Sequence, residues 1–142
     1  MTTETGITVK VPITVSMDRV RSTLVSAFEG GSNYWMSLDG LVKPEEGSIK
    51  DFKEGGKHYL KDGTHDWSWH YVAPFVDGYG VKIRDDEEDK VYVLNYAAIV
   101  HGLEVMGNKY PRHFADFLSE NDDCETADVL LQCCIFSELV YG

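Results

Sequence analysis

Basic side chains are scarce in this chain. Thirteen Lys and Arg face twenty-four Asp and Glu, which leaves a formal net charge of −11. Residues 1–71 hold 8 basic and 10 acidic side chains, and residues 72–142 hold 5 and 14, so the deficit is concentrated in the second half. Such a field repels DNA, RNA and anionic lipid, which excludes general nucleic-acid or membrane-surface binding. A basic protein partner remains compatible with it, as does a small anionic ligand held in a locally basic pocket.

Cysteine is also sparse. Cys124, Cys133 and Cys134 are an odd number, two are adjacent, and no Cys-x-x-Cys is present, which excludes a disulfide scaffold. No apolar run approaches a membrane span. Met1–Thr5 shows neither the basic nor the apolar region of a signal peptide, so a cytosolic protein is expected. Nucleophile elbows, phosphate loops and zinc spacings are missing too. His58, His65 and His70 follow no metal pattern, His101 and His113 fall on separate predicted helices, and no metal or cofactor is expected.

What is present describes one folded domain over residues 1–142. Hydrophobic residues make up 43% and aromatics 12%, enough for a core. Residues 6–15 alternate strictly, with Ile7, Val9, Val11, Ile13 and Val15 on one side, and predict a half-buried strand. Pro12 lacks an N–H and places that strand at a sheet edge or a turn. Met17, Val20, Leu24, Ala27 and Phe28 recur at helical spacing behind Ser16, a fitting N-cap. Gly30 is expected to close this helix in a left-handed conformation, Gly31 to let the chain turn, and residues 32–36 to run on as a short strand.

Residues 37–66 are the least regular part. Turn residues arrive every few positions, and Lys43, Lys50, Lys53, Lys57 and Lys61 form the one basic concentration, so a variable, loop-rich excursion is expected. Alternation returns at 66–72, with Trp67, Trp69 and Tyr71 on one face. Residues 78–84 and 90–94 read as a hairpin whose tip is Asp85–Asp89. Helices then dominate: 96–106 behind Asn95 and ended by Gly107–Asn108, 112–120 with Pro111 suited to its first turn and Phe114, Phe117 and Leu118 inward, and a central helix from Cys124 to about Leu139 capped by Asp122–Asp123. The fold class is therefore α+β: an antiparallel sheet with one N-terminal helix and a C-terminal group of three helices packed on one face.

Candidate ligand-binding residues follow from this layout. The turn at Gly30 and Gly31 brings backbone N–H groups and Asn33 toward a ligand, with Tyr34 or Trp35 as a stacking plate; a helix cap followed by a core strand is the plainer account. Trp67 and Trp69 offer a second stacking face, or one inner face of a sheet. Arg112 and His113, with Asp116 on the same short helix, suit a carboxylate or phosphate, or else hold the corner between helices together with Glu120, Glu125, Thr126 and Asp128. Gln132, inside an apolar helix, must find a partner, and a backbone group at a corner fits better than a ligand.

Stretches from the two ends of the chain, taken together, resemble a known family. Residues 27–35 (AFEGGSNYW), paired with 110–118 (YPRHFADFL) and with 126–142 (TADV to VYG), are similar to small, mostly uncharacterised proteins encoded by tailed bacteriophages and prophages. The resemblance covers both ends but not residues 37–90. It implies a phage accessory protein in the host bacterial cytoplasm: a non-enzymatic counter-defence binding factor that sequesters a small nucleotide signal or inhibits a host protein, with a homo-oligomer expected. The alternatives are a small hydrolase or nuclease-like enzyme using His113 and Asp116, and a phage assembly accessory protein.

Overall fold

The computed structural model describes residues 5–44, 69–121 and 123–142. Among them it is α+β, with a three-stranded antiparallel sheet and five α-helices. In chain order these are α1 (Met17–Ser26), β1 (Met36–Val42), α2 (Trp69–Val72), β2 (Gly80–Asp85), β3 (Lys90–Leu94), α3 (Tyr96–Lys109), α4 (Pro111–Leu118) and α5 (Cys124–Phe136). The sheet order is β1-β2-β3. No helix among the described residues is long and apolar enough to cross a membrane.

The expected hairpin is β2–β3, and its pairing explains the buried face. Val81 lies opposite Leu94 and Ile83 opposite Tyr92, while Lys82 and Arg84 lie opposite Val93 and Val91 on the other face. Val81, Ile83 and Leu94 have no exposed surface. On the β1 side, Leu38 pairs with Ile83 and Leu41 with Val81, two inward residues three positions apart. Strict alternation cannot place both inward. A bulge at Asp39 inserts the extra residue, and Gly40 takes φ 142°, which a side chain would resist. Asp39 then reaches across to Arg84 at 3.2 Å.

The helix caps fall where the sequence places them. Ser16 accepts from the Arg19 N–H at 3.2 Å, Asn95 from Ala98 at 2.9 Å, and Asp123 from Thr126 at 3.0 Å. Each satisfies a first-turn donor that the helix itself leaves open. Pro111 opens α4. α3 runs through Gly107–Asn108 to Lys109 because tertiary contacts outweigh the glycine, and α5 stops at Phe136, with Ser137 left-handed at φ 63°. Phe117 is fully buried, Phe114 half-buried, and Leu118, expected inward, is exposed.

Four local expectations are corrected. Residues 6–15 join no sheet, and Ile7, Val9, Val11 and Ile13 stand exposed; no strand among the described residues receives their apolar side. α1 passes into a π-turn over Ala27–Gly31 in which neither glycine is left-handed. Residues 32–35 are a turn, and the strand begins only at Met36 and runs to Val42, into the stretch expected to hold loops and short strands. Residues 69–72 are a helical turn that runs into the 3-10 turn Ala73–Phe75, so aromatic alternation was not a strand signal there. Residues 45–68, with Lys50, Lys53, Lys57, Lys61, His58, His65 and Trp67, lie outside the described residues, as does Asp122.

α5 is the central helix, buried from Thr126 through Cys134. Gly102 of α3 lies directly against it: a Cβ there would stand 2.3 Å from Cys134 Sγ, 2.7 Å from its Cα and 2.8 Å from its N. Backbone atoms cannot move aside as a flexible side chain can. Gly102→Ala is therefore expected to push α3 from α5 and to cost roughly 1–3 kcal/mol in urea unfolding, the range for overpacking a close-packed core. Wild-type stability in that variant would contradict the close crossing.

Candidate functional site

The two motif-bearing ends of the chain meet on α5. The π-turn brings Gly31 so near that a Cβ would lie 2.5 Å from the Cys124 carbonyl oxygen, and this approach, rather than a left-handed backbone, is what requires glycine. Gly30 is exposed, with nothing within 4 Å of a Cβ. The π-turn closes through the Ser32 N–H donating to Ala27 O at 2.9 Å, and Met36 N–H donates to Ser32 O at 3.1 Å. That winding points Ser32, Tyr34 and Trp35 at one group, the carboxylate of Asp128.

Asp128 is 7% exposed. Ser32 Oγ donates to its Oδ1 at 2.7 Å and Trp35 Nε1 to the same oxygen at 2.8 Å; Gln132 Nε2 donates to Oδ2 at 3.0 Å, as does the Tyr34 hydroxyl. No cation among the described residues pairs with it. Four donors therefore take the place of water and of a counter-ion, which is how a carboxylate is kept inside a fold. Gln132, one helical turn on, has no exposed surface. Its Oε1 accepts from the N–H groups of Val140 and Tyr141 at 2.8 and 2.9 Å, and its Nε2 also donates to Tyr141 O at 3.1 Å. The expected backbone partner is thus the segment after α5.

Tyr141 extends the network to the sheet. Its ring stacks on Trp35 with centroids 5.7 Å apart, and its hydroxyl donates to both oxygens of Asp85, at 3.0 and 2.8 Å. Asp85 is 1% exposed and also accepts the Glu87 N–H at 3.0 Å, so it fixes the hairpin turn from inside. The acidic tip open to solvent is therefore Asp86–Asp89, one residue shorter than the sequence suggested.

The candidate residues divide accordingly. Trp35 is 1% exposed, between Tyr141 and Phe136, and its ring offers no face to solvent. Tyr34 keeps 52% of its surface exposed, with its hydroxyl committed to Asp128, and Asn33 beside it is exposed. Arg112 is exposed on the first turn of α4. His113 Nδ1 meets Thr126 Oγ1 at 3.2 Å, so it ties α4 to the first turn of α5. Gly31, Tyr34, Trp35 and His113 are all gathered on α5, yet at separate residues of it: Cys124, Asp128 and Thr126. Trp69 opens α2, and Trp67 lies outside the described residues.

Comparisons with protein-family models, curated proteins and solved structures find no match. What the site can do rests on its geometry. The Asp128 carboxylate has its acceptor positions filled by protein donors, and His113 is bonded to a hydroxyl on another helix. The Cys133 thiol is pushed up to about 12 by burial, and burial raises the Cys134 thiol as well, so neither is a ready nucleophile. Among the described residues no group of three or more His, Cys, Asp and Glu gathers as a metal site.

Three tyrosines carry the mark of these bonds. Removal from water, and then donation to a carboxylate, pushes Tyr34 (to Asp128), Tyr71 (to Glu29) and Tyr141 (to Asp85) up to about 12 from 10.0. Between those values the folded chain keeps protons that the unfolded chain has released. The stability they supply is thus complete below pH 10 and is lost as pH rises toward 12. Phenolate absorbance is expected to show a late step for these three residues that disappears in denaturant. A single step near 10 in the folded protein would contradict the phenol–carboxylate bonds.

Proposed function

We propose that the protein is a non-enzymatic binding factor, a phage accessory protein of the host bacterial cytoplasm that inhibits a host protein in counter-defence. The observation that carries this reading is how the polar groups are used. Those best suited to chemistry, Asp128, Gln132, Asp85 and His113, are engaged in bonds between elements of the fold. The densest exposed charge is the hairpin tip, where Asp86, Glu87, Glu88 and Asp89 follow one another at the surface. Arg84 pairs with Asp89 and Asp39, and among the described residues no ion pair holds Glu87 or Glu88. An acidic tip on a rigid two-stranded support suits a basic protein surface, and complementary charge speeds such an encounter.

The nucleotide-sequestering form of this reading has less behind it. It asks Tyr34, Trp67 or Trp69 to stack a base and Arg112, Lys57 or the Gly30–Gly31 backbone to hold phosphate, and Trp67 and Lys57 lie outside the described residues. Tyr34 and Arg112 remain exposed, and the net charge of −11 opposes approach of an anion. Affinity capture from host lysate separates the two. The wild-type chain is expected to retain a defined basic protein, and the variant Glu87→Lys with Glu88→Lys, folded to the same stability, is expected to lose it. An unchanged partner in the variant would contradict the tip as the binding surface. A small molecule seen on the protein by native mass spectrometry, and released on denaturation, would favour sequestration instead.

A further inference from the structure

Residues 5–16 form an arm with the sequence pattern of a strand, and it pairs with no strand among the described residues. Its apolar residues alternate without a break, yet Ile7 is 91%, Val9 71%, Val11 68% and Ile13 52% exposed. Such a pattern is a half-buried strand in search of a sheet. The sheet also has an edge that no other strand among the described residues pairs with. β3 is the last strand of the order β1-β2-β3, and its two outward side chains, Val91 and Val93, are 44% and 43% exposed. An apolar strand with one open side and an apolar edge with one open side are complementary.

Pro12 sharpens the match. Along a strand the N–H and C=O groups alternate between the two edges, so residues 7, 9, 11 and 13 address one edge and residues 8, 10, 12 and 14 the other. Proline has no N–H, and its place in the even set leaves the odd edge with every donor intact. The residue before proline is also held extended, which favours a strand conformation in the free arm. An arm built this way pairs on one side and blocks addition of a further strand on its other side.

Charge agrees. Lys10 is the sole charged side chain between Thr5 and Ser16, and β3 begins beside the exposed acids Asp86–Asp89.

We infer that the arm of one copy, through the odd-numbered residues Ile7 to Ile13, adds as a strand to the β3 edge of a second copy, with its apolar side continuing Val91 and Val93. The inference does not depend on what the protein binds in the host. Strand addition of this kind draws affinity from main-chain bonds and register from the alternate side chains.

Sedimentation of the full chain, with a proline scan of the arm, tests it. The wild type is expected to sediment as a multiple of 16.0 kDa. Thr8→Pro, of the same parity as Pro12, keeps the assembly. Val9→Pro and Val11→Pro, of the pairing parity, weaken it about tenfold or more, as the loss of one well-formed bond and its register implies. Because these positions are exposed in the single chain, circular dichroism and urea midpoint of the dissociated variants should match those of the diluted wild type. A wild type that stays at 16.0 kDa would overturn the inference, as would an assembly that answers equally to both parities. Hydrogen exchange locates the contact: amides of residues 91–93 gain protection on association, and unchanged exchange there would place the arm elsewhere.

Discussion

The Asp128 carboxylate is the constraint from which the other contacts follow. A charged group held at 7% exposure without a cation is tolerable only while its lone pairs are met by donors. Meeting them brings together Ser32, Tyr34 and Trp35 from the turn before β1 and Gln132 from its own helix. Gln132 then requires Val140 and Tyr141, and Tyr141 requires Asp85 on β2. One buried charge thereby links α1, the sheet, α5 and the segment after it. Removing any one donor leaves a neighbour unsatisfied, so the network acts as a unit.

The network joins stretches from opposite ends of the sequence. Residues 27–35 and 126–142 are the two halves of one buried polar joint. Gly31 is small because the Cys124 carbonyl lies against it, Ser32 and Trp35 are donors because Asp128 needs them, and Tyr141 is a tyrosine because its ring covers Trp35 while its hydroxyl reaches Asp85. A second joint ties α1 to α4: the Arg19 guanidinium donates to Phe117 O at 2.7 Å and lies 5.1 Å from the centre of the Phe117 ring. Cations suit a helix C-terminus, where carbonyls are left open. Specific motifs of this kind hold a fold in place, and function is left to the surfaces that the joints present.

The fold class was legible in the sequence because its strongest signals are local. The caps at Ser16, Asn95 and Asp123, the proline opening α4 and the alternating hairpin each act within a few residues, and each stands where expected. Signals that needed a partner misled. Alternation at residues 6–15 states what the arm would bury, not whether this chain provides it. Gly30 and Gly31 suggested a left-handed cap, but the reason for Gly31 is a carbonyl 93 positions away, at Cys124. Asp128 was visible as one acid among many in 110–128, although its spacing of four from Gln132, inside an apolar helix, marked the pair as sharing a buried face. Trp35 looked like a stacking plate because aromatic character alone does not tell a ligand face from a core face.

The most direct test of the carboxylate's central place is a double-mutant cycle between Ser32 and Asp128, read by urea unfolding. Ser32→Ala is expected to cost about 1 kcal/mol when Asp128 is present, the net worth of a buried hydrogen bond, and little or nothing once Asp128→Ala has been made. The coupling between them should then be about 1 kcal/mol. Strict additivity of the two substitutions would contradict the account, since it would mean that Ser32 and Asp128 stabilise the fold independently.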